Sequence, residues 1–368
     1  MSRLSEMSAA GTAVWLDFVD RKFLEAGGLQ KLVDEDGLTG VTSNPAIFEK
    51  AMGHGDAYDV TLAEYDRSHP EAATIDRYEH LAIQDIKAAA DTLRPVYDRL
   101  DSKDGYVSLE VSPYIADDTD ATIAEARKLW AAVDRPNLMI KIPGTLAGGP
   151  AIAATIAAGI NVNVTLLFAQ SAYQRVAEAY VTGLEERVRQ GQPIDRIASV
   201  ASFFVSRIDA AIATRIDKIG TDEAKALNGK VAIANAKLAY AWYQEFIASE
   251  RWQALAARGA QPQRLLWAST GTKDPAFPDT LYVDTLIGPD TVNTLPPKTL
   301  DAFRERGTVA QTLTADVDEA RRVLAEAERL GLDLNDVTDR LVEEGVASFA
   351  KSFDDLLGSI AKKQPATA

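Results

Sequence analysis

Cysteine is absent from all 368 residues, which excludes disulfides, thiolate metal ligands and cysteine nucleophiles together. It also suits a reducing compartment. Histidine is nearly absent: His54, His69 and His80 all fall in the first quarter, without ligand-like spacing, so no metal site is expected. No run of ~18 apolar residues occurs, and the opening MSRLSEMSAAGTAVW has no apolar stretch of signal length. A soluble, cytoplasmic protein with no membrane partner is therefore expected. Positive charge is in deficit, with 39 Lys+Arg against 54 Asp+Glu and a net charge of −15. That balance argues against nucleic acid or anionic membrane as a partner, and an anionic ligand would have to find a local basic pocket.

What is present is ordinary globular material, 46% hydrophobic and 25% charged, which leaves little room for disorder or coiled coil. Short apolar runs recur between helix-length segments. AVWLDF (13–18), GVTSN (40–44), YVSLEVS (106–112), NLMIKIP (137–143), NVNVTLLF (161–168), IASVASFFV (197–205), RLLWAS (264–269) and TVNTLP (291–296) read as strands. Several are apolar on both faces, as parallel strands buried beneath helices should be. Eight such units predict an α/β chain forming a single (β/α)₈ TIM barrel over 1–368. Extra helices are expected in the 44–105 insertion, two or three of them, and after the last strand, in 298–330 and 335–361. The 222–258 segment has length for two helices. In 335–361, Val337, Leu341, Val346, Phe349, Phe353, Leu357 and Ile360 form an apolar stripe that must pack on something. Residues 1–12 and 362–368 are expected to fray.

Lys141 is the most informative residue. It interrupts LMIKIPGT inside an apolar strand, where burial would disfavour the ammonium and make the amine a nucleophile toward carbonyls. A lysine snorkelling from a strand end or paired with a carboxylate is the alternative. Its company favours chemistry. Asp17, Asn44, Glu110 and the alternating pair Asn163 and Thr165 come from the other strands among the first five, and a barrel top is where such side chains converge. Asn44-Pro45 also reads as a helix start. Arg207 after the sixth strand, with Ser269 and Lys273 in STGTK after the seventh, suits a phosphate dianion. Against that, Arg207 can pair with Asp209, and STGTK can be a plain turn.

GVTSNPAIF, SLEV, LMIKIPGT, NVNVTLLF, SFFVSRID and DTVNTLP, in this order and over nearly the whole chain, resemble transaldolase. WASTGTKDP, LIGPDTVNTLP and the length resemble the longer, roughly 370-residue bacterial branch of that class I Schiff-base family. The resemblance implies a metal-independent pentose phosphate pathway transferase with no cofactor. Dihydroxyacetone would move from sedoheptulose 7-phosphate to glyceraldehyde 3-phosphate, giving erythrose 4-phosphate and fructose 6-phosphate. By the same resemblance Lys141 is the Schiff-base lysine, and Asp17 takes the C4 hydroxyl proton. Glu110 and Thr165 handle water during carbinolamine formation and dehydration. Asn44, Asn163 and Ser202 hold donor hydroxyls, Arg207 and Ser269 hold phosphate, and Phe204 lies beside the water. Relatives that act as simple aldolases tend to carry Tyr where this chain has Phe204. Many relatives carry a second arginine where this chain has Gly271, a place Lys273 would have to fill. Phosphorylated sugars are the implied partners, and oligomeric state, a homo-oligomer included, is left open. A fructose-6-phosphate aldolase on the same scaffold and a non-catalytic sugar-phosphate-binding barrel are the alternatives.

Overall fold

All eight expected strands form in the computed structural model, which describes residues 2–363: β1 (Thr12–Leu16), β2 (Gly40–Val41), β3 (Tyr106–Glu110), β4 (Leu138–Pro143), β5 (Val162–Leu167), β6 (Ser199–Phe204), β7 (Arg264–Ala268) and β8 (Thr291–Leu295). They pair in parallel in chain order and close β8 onto β1, making a (β/α)₈ TIM barrel. Strands β4, β5, β6 and β8 are buried at every residue, so the polar side chains they carry, such as Lys141, Asn163, Thr165 and Asn293, are buried as well. Strand β2 is only two residues long. Thr42 still donates its backbone N–H to Leu16, but the chain then turns so that Asn44 caps the next helix.

The 44–105 insertion holds three helices, Pro45–Met52, Asp59–Ser68 and Thr74–Arg99. The segment 222–258 forms three pieces rather than two, Asp222–Lys225, Val231–Ile247 and Glu250–Ala256: Gly229 at φ 75° lies in the break between the first two, and Ser249 caps the third by accepting a backbone N–H. The expected 298–330 pattern is likewise divided, into Pro297–Arg306 and Val317–Arg329. Between them, the amides of Thr312 and Leu313 both donate to the Ile287 carbonyl, and Leu313 is fully buried. Docking that residue against the segment before β8 takes its backbone out of helix.

The long C-terminal helix, Leu334–Lys362, lies across the Pro45–Met52 helix and the top of β5. Val337, Leu341, Phe349, Phe353 and Ile360 of the expected stripe are buried, with Leu356 rather than Leu357 completing it. At Gly345 a Cβ would stand 2.8 Å from a Leu166 methyl, so only glycine allows this close approach.

Contrary to expectation, the described part of the amino end is not frayed, while of the expected frayed carboxyl tail only Lys362 and Lys363 are described. At the amino end, Ser2 caps a helix, Arg3–Ala9, whose Leu4 and Met7 are fully buried. At the other end, Lys363 reaches the Gly55 carbonyl at 2.8 Å and Asp59 at 2.6 Å, while Arg77 binds the carbonyls of Ile360 and Lys363. Residues 364–368 of the expected frayed tail lie outside the described residues. Among the described residues, no helix is long and apolar enough to cross a membrane.

Candidate active site

The carboxyl ends of the strands open into a cavity of about 400 Å³. Asp17, Asn44, Lys141, Thr165, Ser202, Phe204, Arg207, Ser269 and Lys273 all line it. Sequence reasoning thus brings nine of its eleven site residues to one wall or another. The remaining two, Glu110 and Asn163, support this lining from behind.

Lys141 sits mid-strand on β4, opposite Glu110 on β3 and Asn163 on β5. Its Nζ donates to the Ser43 carbonyl at 3.0 Å and lies 3.4 Å from Glu110 Oε2, with both side chains only 6% exposed. Glu110 Oε2 accepts no hydrogen bond, so Lys141 is its nearest compensation. Burial pushes the Glu110 carboxyl up, Lys141 opposes that, and the Asp17 charge adds to the rise. Burial also raises Asp17, while Lys141, a Thr42 hydrogen bond and Arg207 pull it back toward the ionised form.

Behind the lining runs a hydroxyl–amide chain. Ser202 donates to Asn163 Oδ1 at 2.7 Å, and Asn163 Nδ2 donates to Ser108 at 3.0 Å. These bonds fix the carboxamide and hold Ser202 at the cavity surface. Thr165, fully buried in the lining, has no partner for its hydroxyl, as Glu110 Oε2 has none. An orphaned buried hydroxyl costs about 1–3 kcal/mol, a cost that a water or substrate hydroxyl would relieve. Beside it the backbone departs from regularity. Leu166 has φ 58°, and the β5–β6 register shifts between Val164 and Leu167. A non-glycine residue in the left-handed region is held there only by its surroundings, and Gly345 of the C-terminal helix packs closely over the Leu166 side chain.

Asn44 starts the next helix, as its Asn-Pro sequence suggests, and also lines the cavity. Its carboxamide oxygen accepts the Ile47 amide at 3.0 Å, capping the helix, which leaves the NH₂ as the donor it can offer to a ligand. The alternative pairing of Arg207 with Asp209 does not occur. Asp209 instead accepts from the Ala232 amide at 2.9 Å and the Tyr282 hydroxyl at 3.0 Å. The Arg207 guanidinium lies 5.2 Å from the centre of the Phe204 ring, which itself packs on Phe168. Ser269, at φ 56°, shares a 2.9 Å hydrogen bond with Ser206. Lys273 faces the same cavity, and burial lowers its ammonium, with Arg207 adding to the effect. At Gly271 a Cβ would lie 2.9 Å from Thr299 Oγ1, so a longer side chain there would displace that threonine.

Several contributors escape sequence reasoning. Thr42 donates to Asp17 at 2.7 Å and is itself 2.6 Å from Thr294. Since Thr42 has one proton to give, Thr294 must donate to it, forming a Thr294–Thr42–Asp17 relay. Barrel closure creates this adjacency, because β8 lies beside β1 and β1 beside β2. The only sequence signal was a hydroxyl at each strand end. Ser43, Ser108 and Phe349 are equally silent in sequence. Among the described residues, no group of three His, Asp or Glu side chains is placed to hold a metal.

Comparison with known proteins agrees with this geometry. The model of the Transaldolase/Fructose-6-phosphate aldolase family matches residues 14–360. A protein of Thermobifida fusca named Transaldolase is 50% identical over 363 residues, covering 98% of both chains. Another of that name, from a Parafrankia species, is 51% identical over 358 residues, covering 97% of this chain and 96% of its own. Transaldolase 2 of a Nostoc species is 48% identical over 374 residues, covering 99% and 98%. With the family model spanning the whole barrel and relatives near half identity end to end, this chain belongs to the transaldolase/fructose-6-phosphate aldolase family.

Proposed function

We propose that the chain, acting as one domain, is a transaldolase of the pentose phosphate pathway. It transfers a dihydroxyacetone unit from sedoheptulose 7-phosphate to glyceraldehyde 3-phosphate, yielding erythrose 4-phosphate and fructose 6-phosphate. The observation that carries this reading is the buried Lys141 amine, held between the Ser43 carbonyl and Glu110 in a cavity that also presents Asp17 and the Arg207–Ser269–Lys273 group.

In this reading the Lys141 amine adds to the ketose C2 carbonyl. Glu110 and Thr165 shuttle protons through a water, so that the carbinolamine oxygen leaves as water and an iminium forms. Glu110 suits that exchange because burial holds its carboxyl readier to keep a proton than an ordinary glutamate, while Lys141 beside it favours release. Asp17, kept toward ionisation by Lys141, Thr42 and Arg207, takes the proton of the C4 hydroxyl. The C3–C4 bond then breaks, and its electron pair passes into the iminium to give an enamine while the aldose phosphate departs. The enamine attacks the acceptor aldehyde, the proton returns from Asp17 to the new hydroxyl, and water releases the ketose product. Asn44, Asn163 and Ser202 orient the donor hydroxyls. Arg207, Ser269 and Lys273 hold the phosphate, and Lys273 supplies the second cation where Gly271 leaves no side chain.

Aldolase activity, with free dihydroxyacetone as product, is the competing outcome. The apolar Phe204 ring, packed under Arg207, supports transfer instead, because it brings no extra proton donor to the enamine. Borohydride reduction in the presence of fructose 6-phosphate, followed by intact mass and peptide mapping, tests the reading. A reduced dihydroxyacetone adduct on Lys141 is expected, with little free dihydroxyacetone when no acceptor is added. Binding of fructose 6-phosphate without any adduct would overturn it in favour of a non-catalytic sugar-phosphate-binding barrel.

A further inference from the structure

Three cations line the cavity beside Lys141, and phosphate handling so far uses two of them. The third, Lys50, comes from the Pro45–Met52 helix of the insertion. That helix is two-faced. Pro45, Phe48, Ala51 and Met52 are buried in the core, whereas Ala46, Ile47 and Lys50 form the opposite face and line the cavity. The i, i+1, i+4 spacing of these three residues keeps them together on one side of a helix. Because Asn44 caps this helix from within the site, the position of Lys50 is tied to the same backbone turn that places Asn44.

The chain carries −15 overall, and many of its exposed cations have carboxylate partners, among them Lys22, Lys128 and Arg251. Among the described residues, no carboxylate lies within ion-pairing distance of Lys50, Arg207 or Lys273. Glu49, next to Lys50, faces His54 at 3.7 Å instead. In the closed strand order, β2 and β6 stand four places apart and so face each other across the barrel. Lys50 follows β2 and Arg207 follows β6. The cavity therefore presents unpaired positive charge from opposite walls, with Lys50 and Lys273 exposed and Arg207 half-buried.

We infer that Lys50 is a further phosphate-recognition residue, which meets the dianion of the incoming sugar phosphate at the cavity mouth from the wall opposite Arg207. The inference rests on the transaldolase reading of the site. An anion approaching a strongly acidic protein is repelled at long range, and an unpaired rim cation lowers that barrier locally. Lys50 also gives the 44–105 insertion a share in the site, through one face of its first helix.

Steady-state kinetics with fructose 6-phosphate as donor test the inference, alongside competitive inhibition by inorganic phosphate. Lys50→Met should raise KM and the phosphate inhibition constant roughly three- to tenfold at low salt, and the loss should be carried in KM rather than kcat. It should also flatten the dependence of kcat/KM on ionic strength up to about 0.3 M salt. Lys50→Arg should restore both. Lys103→Met removes the same charge from the loop entering β3, at the other end of the barrel, and should behave as wild type. Wild-type KM, phosphate inhibition and salt dependence in Lys50→Met would overturn the inference. So would an equal effect from Lys103→Met, which would trace the change to net charge alone. Should the wild type form no borohydride adduct, the transaldolase reading fails by itself. Calorimetric titration of the same variants with inorganic phosphate then decides the Lys50 contact without turnover.

Discussion

The Thr294–Thr42–Asp17 relay makes the acid limb of the pH–rate profile a direct probe of the site. Asp17 must be ionised to take the C4 hydroxyl proton, yet burial drives its carboxyl upward, and the 2.7 Å bond from Thr42 is one of the contacts opposing that rise. Thr42→Val keeps the shape of this 2% exposed side chain and removes the donor. A hydrogen bond to a charged group contributes about 1.5–3 kcal/mol, and each pH unit corresponds to about 1.4 kcal/mol. Its loss should therefore move the acid limb of kcat/KM upward by about one to two pH units. Turnover near that limb should fall roughly ten- to hundredfold and recover on the alkaline side. Thr42→Ser retains the hydroxyl and should keep the wild-type limb, whereas Asp17→Asn cannot titrate and should lose the limb with most of the activity. The measurement is kcat/KM for transfer against pH, with thermal melting to confirm folding. An acid limb at the wild-type position in Thr42→Val would refute the reasoning.

Other perturbations read other parts of the structure. Lys141→Ala should abolish turnover and borohydride trapping while retaining phosphate binding by calorimetry, and appreciable transfer by that variant would remove the nucleophile assignment. Lys273→Ala should raise KM for phosphorylated substrates more than it lowers kcat, as loss of uniform binding does, and an unchanged KM would return STGTK to a plain turn. Asp209, pushed up to about 6 chiefly by burial, holds its proton more tightly when folded than at its ordinary 3.8. Folding stability should therefore decline as pH rises through that interval, by about 3 kcal/mol in all. Asp209→Asn cannot ionise, so chemical denaturation should show it gaining on wild type between pH 4 and 7. A pH-independent difference between the two would refute this.

Much of the molecule was legible in the sequence, and the reason lies in barrel geometry. Parallel strands buried on both faces leave apolar runs such as VNVTLL and SVASFF, which announce themselves without any helix-like period. A charged or amide side chain inside such a run has few structural explanations, so Lys141, Glu110 and Asn163 stood out. Loop and insertion elements were less legible. The helix breaks around Gly229 and at Ser249 depend on single residues, and the break after Arg306 depends on where Leu313 docks. The buried Arg3–Ala9 helix shows the same dependence, since its short amphipathic pattern acquires meaning only from the surfaces it meets.

Residue identity along the chain was enough to gather the candidate groups, Lys141 among them, at one rim, because eight strand-like runs bring their carboxyl ends together. The partners of each group were another matter, since they come from strands and helices far apart in the chain. Thr42, Thr294 and Asp17 meet only because β8 closes against β1, and Lys50 shares a cavity with Arg207 because β2 stands opposite β6. Likewise, the irregular turn at Leu166 is overlain by Gly345, nearly half the chain away. Periodicity and composition report burial, a property each residue carries locally. Hydrogen-bond partners, shifted acidities and the charge across a cavity arise between residues, and they come into existence only when the barrel closes.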